Sequence, residues 1–250
     1  MPRTAIPVVD LNTRAGVVIG ATAVTPVEVT GDSTNHHSIS GNDGRVIVHF
    51  RNTGGGTVNL TLLPGVTSPG FAFPNRTITR VGNGDLLIGP FPPSMFGETV
   101  NINTDSASCK FRAYRLLGAP SRAAIAPAGP TTVGSRVKVP LTSVSRAGVD
   151  ITSGVSEVTG SSNGHFFAND GNVLILARST SGSCNYNHVA AAVMDGQAIT
   201  DYVAVVAIAD PVEFAGPFPL PIYNQADGCV YLNSTTSSIR LRAFWLPYQE

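Results

Sequence analysis

"IGPFPPSMF" (88–96) and "AGPFPLPIY" (215–223) are one unusual phrase written twice, 127 positions apart. Glycine permits a bend that residues with a Cβ resist. Each proline fixes φ and removes a backbone donor, so ladder pairing stops there. A phenylalanine pins the bend by burying its ring. Gly89, Pro90, Phe91 and Pro92, with Gly216, Pro217, Phe218 and Pro219, therefore read as a strand-ending corner where the chain crosses between sheets. A proline–aromatic ledge for a ligand is the alternative use of the same residues.

The repetition extends outward from the corner. "NDGRVIVHFRNT" (42–53) meets "NDGNVLILARST" (169–180), with six of twelve positions identical. "RAGV" stands at 14–17 and again at 146–149, and "KFRAYRL" (110–116) meets "RLRAFWL" (240–246). The matches keep one order and nearly one separation, which a tandem duplication explains and chance does not. The expected units are a first repeat at 1–117 and a second at 136–250. Between them, 118–135 is rich in Ala, Pro and Gly and reads as an exposed, semi-stiff linker.

Each unit carries the period of strands. Cys109, Phe111 and Ala113 alternate with Lys110, Arg112 and Tyr114, while Ile239, Leu241, Ala243 and Trp245 alternate with Arg240, Arg242 and Phe244. Alternation by two marks a half-buried strand. "VIVHF" (46–50) and "VLILA" (173–177) are apolar on both faces and read as central strands covered on both sides. Asn42-Asp43-Gly44 and Asn169-Asp170-Gly171 precede these runs as tight turns, and Asp195-Gly196 and Asp227-Gly228 repeat the signal. No window of ten or more residues keeps a helical period; the best, 188–199, is interrupted by Asp195-Gly196. The expected fold class is all-β: two tandem homologous β-sandwich or jelly-roll-like domains joined by the linker.

Composition narrows the function. Charged residues are 13% of 250, about half the usual ~25%. The net charge is zero, with fourteen scattered arginines and only Lys110 and Lys138. Phosphate backbones are held by clustered cations, so no nucleic-acid partner is expected. A surface poor in charge suits coverage by a partner, because desolvating charges at an interface core is costly. No run of ~18 apolar residues exists, so no membrane partner is expected. The start, "MPRTAIPVVD", lacks the apolar centre of a signal peptide, and synthesis in the cytoplasm is expected. The short arm at 1–10 reads as a clasp to a neighbour, an ordinary edge strand or a loose tail.

Catalytic chemistry finds little support. Cys109, Cys184 and Cys229 are widely spaced and odd in number, so they read as small buried hydrophobes. Adjacent His36 and His37 point different ways on a strand and read as a polar loop pair, with His165 at the matching place. His49 and His188 are isolated. Cys184 precedes His188 by four residues, ~13 Å along a strand, too far to act as a pair. The acidic turns lack the oxygen cluster that calcium needs. We expect no enzyme activity, no cofactor and no metal.

The quoted stretches carry a resemblance. "NDGxVxLxxxNT", then "GPFPPSxF", then a closing strand like "VxVxAFRL" resemble small all-β structural proteins of tailed phages, in particular capsid decoration (head auxiliary, or cement) proteins. The matching residues are 42–53 with 88–116, and 169–180 with 215–246; the segments they bracket, 42–116 and 169–246, lie in both repeats and span about three fifths of the chain. The resemblance implies a non-enzymatic virion protein that binds the outside of the phage capsid and stabilises the shell. It implies the major capsid protein of the same virion as partner and the capsid exterior as location. It also implies a homo-oligomer; a trimer of two-repeat chains would be pseudo-sixfold. The rival reading is a phage tail or baseplate component, or a carbohydrate-binding host-recognition module with Trp245 as its aromatic platform.

Overall fold

A computed structural model describes residues 2–11, 17–19, 27–65, 73–116, 126–152, 156–191, 193–194, 197–198, 201–206 and 212–247. In chain order the first half carries β1 (Thr4–Ala5), β2 (Val8–Leu11), β3 (Val17–Ile19), β4 (Val29–Thr30), β5 (His37–Ser40) and β6 (Val46–Asn52). There follow β7 (Thr57–Leu63), β8 (Arg76–Val81), β9 (Gly84–Ile88), the one-turn helix α1 (Pro93–Phe96), β10 (Thr99–Thr104) and β11 (Cys109–Leu116). The second half carries β12 (Val137–Lys138), β13 (Leu141–Ser143), β14 (Val149–Asp150), β15 (Val158–Thr159), β16 (His165–Ala168) and β17 (Val173–Ser179). It continues with β18 (Cys184–Val189), β19 (Val193–Met194), β20 (Gln197–Ala198), β21 (Tyr202–Val206), β22 (Val212–Ala215), α2 (Leu220–Tyr223), β23 (Cys229–Ser234) and β24 (Ile239–Trp245). The fold is all-β.

Each half is a sandwich of two sheets. The outer sheets run β1-β5-β10-β7-β8 and β12-β16-β23-β18-β21. The inner sheets run β9-β6-β11-β2, with β4 also on β11, and β22-β17-β24-β13, with β15 also on β24. The orders correspond strand for strand. In both halves the first two strands join in parallel, β1 on β5 and β2 on β11, β12 on β16 and β13 on β24. The hairpin β19–β20 belongs to the second half alone among the described residues.

The two inner sheets finish each other. β14, from the second half, pairs with β9 in the first half's sheet (Val149 opposite Leu87). β3, from the first half, pairs with β22 in the second half's sheet (Val17 opposite Phe214). The units expected at 1–117 and 136–250 thus each lend one edge strand to the other. Of the stretch expected as a linker, 118–125 lies outside the described residues. The rest lies on the second half, where the Lys138 ammonium donates to the carbonyls of Ala128 (3.2 Å) and Pro130 (2.9 Å).

Three apolar clusters follow from the pleat. On β6, Val46, Val48 and Phe50 enter the core of the first sandwich, and Ile47 points the opposite way. On β17, Val173, Ile175 and Ala177 enter the second core, and Leu174 and Leu176 point away. These outward residues meet Leu87, Tyr114, Phe214 and Phe244 in a third cluster between the inner sheets. Doubly apolar strands are what such placement requires. It also corrects the half-buried reading of β11 and β24. Tyr114 (1% exposed) and Phe244 (0%) are interior, because the face opposite each core is covered by the other half. Burying a large apolar side chain stabilises by ~1.5–3 kcal/mol, so this third cluster holds the halves together.

Candidate functional site

The two repeated motifs meet in space. The Asn42 side-chain amide donates to the carbonyl of Gly97, just after α1, at 2.8 Å, and its oxygen accepts from Gly44 N–H at 3.3 Å. In the second half the Asn169 amide donates to Phe218 O at 2.8 Å and to Asn224 Oδ1 at 2.7 Å, and its oxygen accepts from Gly171 N–H at 3.0 Å. Asp43 Oδ1 accepts from Arg45 N–H (3.1 Å) and Asp170 Oδ1 from Asn172 N–H (3.0 Å). Each Asn-Asp-Gly turn is closed by its own side chains, as Asx turns are, and its asparagine staples it to the corner.

At the corner the chain leaves an inner sheet (β9 or β22) and enters an outer one (β10 or β23). Gly89 and Gly216 have φ of +123° and +112°. A Cβ there would lie 2.9 Å from Val46 O or 2.6 Å from Val173 O, so only glycine fits. Pro90 and Pro217 follow cis peptide bonds. Phe91 packs edge-on against Phe96 at 5.4 Å; Phe218 does so against Phe167 at 5.2 Å and Tyr223 at 5.6 Å. Both phenylalanines are buried, so the corner offers no aromatic ledge to a ligand.

Of the expected loop pair, His36 does lie in the turn before β5, half-buried with φ +59°, but His37, His49, His165 and His188 are interior. His37 opens β5 with its ring 4.6 Å from Phe111, and its Nε2 accepts from Asp32 N–H at 2.9 Å. The matching His165 places Nε2 3.0 Å from Thr159 O. Burial lowers the pKa of both, the nearby Asp32 carboxylate opposing it at His37 and the Thr159 hydrogen bond at His165. His49 Nε2 stands 3.2 Å from the Asp85 carboxylate. His188 is 2% exposed, ringed by Tyr186, Tyr202, Phe218 and Tyr223, with neither ring nitrogen hydrogen-bonded. Burial alone pulls its pKa down to about 3.

The thiols hydrogen-bond to hydroxyls and backbone carbonyls. Cys184 Sγ lies 3.2 Å from Ser179 Oγ, and all three cysteines are free and buried. No group of three His, Cys, Asp or Glu side chains among the described residues is placed to hold a metal ion. Trp245 is buried and donates to Asp170 Oδ2 at 2.9 Å, which removes the platform that a sugar site would have used.

Charge is concentrated where sequence inspection found no motif. Arg178 grips Glu157 with two hydrogen bonds of 2.7 and 2.8 Å, Arg242 lies 3.0 Å away and Arg240 3.7 Å. Those contacts, the Arg178 hydrogen bonds above all, hold the Glu157 carboxyl below the usual range. Glu28 and Arg112 make the matching pair in the first half, at 2.9 Å. Each pair fastens a short strand or its lead-in (β4, β15) to the closing strand of its inner sheet. The repeat of Arg112 and Arg242 was visible in sequence; their glutamates lie outside any quoted match, so register alone reveals them. No helix among the described residues is long and apolar enough to cross a membrane. Compared with known proteins, the chain matches no family model. No curated protein matches its sequence either.

Proposed function

We propose that the chain is a non-enzymatic structural protein of a virion: a capsid decoration protein, built from a duplicated unit, that binds the outer surface of the shell and reinforces it. The observation that supports this reading most is the reciprocal strand exchange. It joins two halves of the same strand order into one body, with the inner sheets facing each other and the similar outer sheets turned away. A shell lattice offers repeated, similar sites, and a two-ended block can occupy two of them at once. The second contact is then intramolecular, and avidity exceeds either single affinity by ~10²–10⁴. Binding to the assembled shell but not to its dissociated subunits stabilises the shell by mass action. The polar groups described above are spent on turns, corners and strand fastening, in keeping with a structural role. Particles stripped of this chain and mixed with it should bind it to saturation and dissociate at a higher temperature. Unsaturable binding, or an unchanged dissociation temperature, would refute a reinforcing role.

A further inference from the structure

The two halves differ most beneath their corners. Leu62 pairs with Ile102 on one side and Arg76 on the other. His188 pairs with Leu232 and Tyr202 in the same way. Leu62 and His188 therefore hold one position, as do Arg76 and Tyr202, and the corner alignment equates Phe96 with Tyr223. In the second half these places are filled by rings: His188 lies 5.5 Å from Tyr202 and 5.1 Å from Phe218. In the first half the space remains a pocket of about 290 Å³, whose lining includes Leu62, Phe73, Met95 and Phe96 together with Arg76 and Arg146. That volume is near the lower end of the ~300–1,000 Å³ typical of small-molecule sites.

The two guanidiniums lack what every other described arginine has. The others hold a carboxylate or a backbone carbonyl, for example Arg80 with Asp150 at 2.6 Å and Arg3 with His37 O at 3.1 Å. Arg146 hydrogen-bonds only to the Met95 thioether, at 2.6 Å, and thioether sulfur is a weak acceptor. Among the described residues neither Arg76 nor Arg146 has a carboxylate partner. Partial burial, and then the neighbouring Arg76 charge, lower the pKa of Arg146. A partly desolvated guanidinium beside a second like charge is relieved by an anion bound next to both. Guanidinium forks match carboxylates in particular. Arg146 reaches the pocket from the second half, on the turn closed by Gly148 N–H to Ser145 O (3.0 Å) that leads into β14. The site is therefore complete only because of the strand exchange.

We propose that this pocket binds a carboxylate carried on an apolar body, with Arg146 and Arg76 holding the carboxylate and Leu62, Met95 and Phe96 receiving the apolar part. This does not depend on the virion reading. The test uses the full chain and three probes: 4-phenylbutyrate, its neutral amide, and N-acetyl-phenylalanyl-glutamate amide. Calorimetry gives the affinities, and the Met95 methyl resonance reports the place. The butyrate should bind saturably and shift Met95, and its amide should bind about tenfold weaker or worse. Arg76→Ala, an exposed position, should weaken the butyrate about tenfold, and Arg146→Lys should weaken it less than Arg146→Ala. If the dipeptide binds more tightly than the butyrate, the natural ligand is an acidic–apolar protein segment; if less, a free acid. Equal affinity for acid and amide would overturn the proposal. So would no saturable binding, or unchanged affinity in Arg76→Ala, which remains informative if Arg146→Ala fails to fold.

Discussion

Gly89 and Gly216 carry a positive φ and a Cβ-sized gap closed by backbone carbonyls. Gly89→Ala and Gly216→Ala should each lower the unfolding free energy by about 2 kcal/mol in urea titrations. The corner was legible because Gly-Pro-Phe-Pro has few other uses. The burial of His188 was not legible: a lone histidine in a strand pattern shows neither what covers it nor that its counterpart is Leu62. That burial has a signed consequence. The unfolded chain protonates His188 near 6.5, the folded chain only near 3. Its neutral form is tolerated above pH 6.5, and stability falls as pH drops from there toward 3. At about 1.4 kcal/mol per pH unit, this residue should cost about 2 kcal/mol between pH 7 and pH 5. His37 and His165, lowered in the same direction, add to the loss. His188→Leu should leave stability at pH 7 nearly unchanged and flatten the pH dependence, as read by unfolding midpoints from pH 7 to 5. An unchanged pH slope would show that His188 is not the buried neutral group described.

Between elements, the fold depends on short strands pinned by charge. β15 is two residues long, and Glu157 beside it binds three arginines, of which Arg242 is 5% exposed and also donates to the carbonyl of Ile151. Glu157→Gln leaves a buried guanidinium without its counter-charge and should cost about 3 kcal/mol, measured by chemical unfolding. Replacing the half-buried Arg45, whose ion pair with the exposed Asp43 is 3.7 Å long, should cost about 1 kcal/mol or less. The strand periods, the turns and the correspondence of the halves could all be read from residues 42–53 and 169–180. The destination of the two valines that close "RAGV", Val17 and Val149, could not. A two- or three-residue edge strand has no period of its own, and nothing local tells it to cross to the other half. For the same reason the outward faces of β11 and β24 looked solvent-facing: alternation shows that two faces differ, not that the second is covered.

For the molecule as a whole, the exchange of β3 and β14 and the cluster around Tyr114, Phe214 and Phe244 make the halves one cooperative body. Trp245 fluorescence reports the second half, and methyl resonances of Leu60 and Leu62 report the first. Their urea midpoints should coincide; separated midpoints would show that the exchanged strands do not couple the halves. Chains cut to 1–117 or 136–250 should each lose an edge strand and expose an apolar sheet face, giving aggregated or loosely packed species by size exclusion and near-UV dichroism. The all-β class was legible from one chain, whereas the assignment to a shell rests on resemblance and on the two-ended architecture. The measurement that bears on it most directly is the copy number of this chain per purified particle, by quantitative mass spectrometry against the major shell protein. A shell decoration role predicts hundreds of copies in fixed ratio to the shell protein. A few copies, or none, would contradict it.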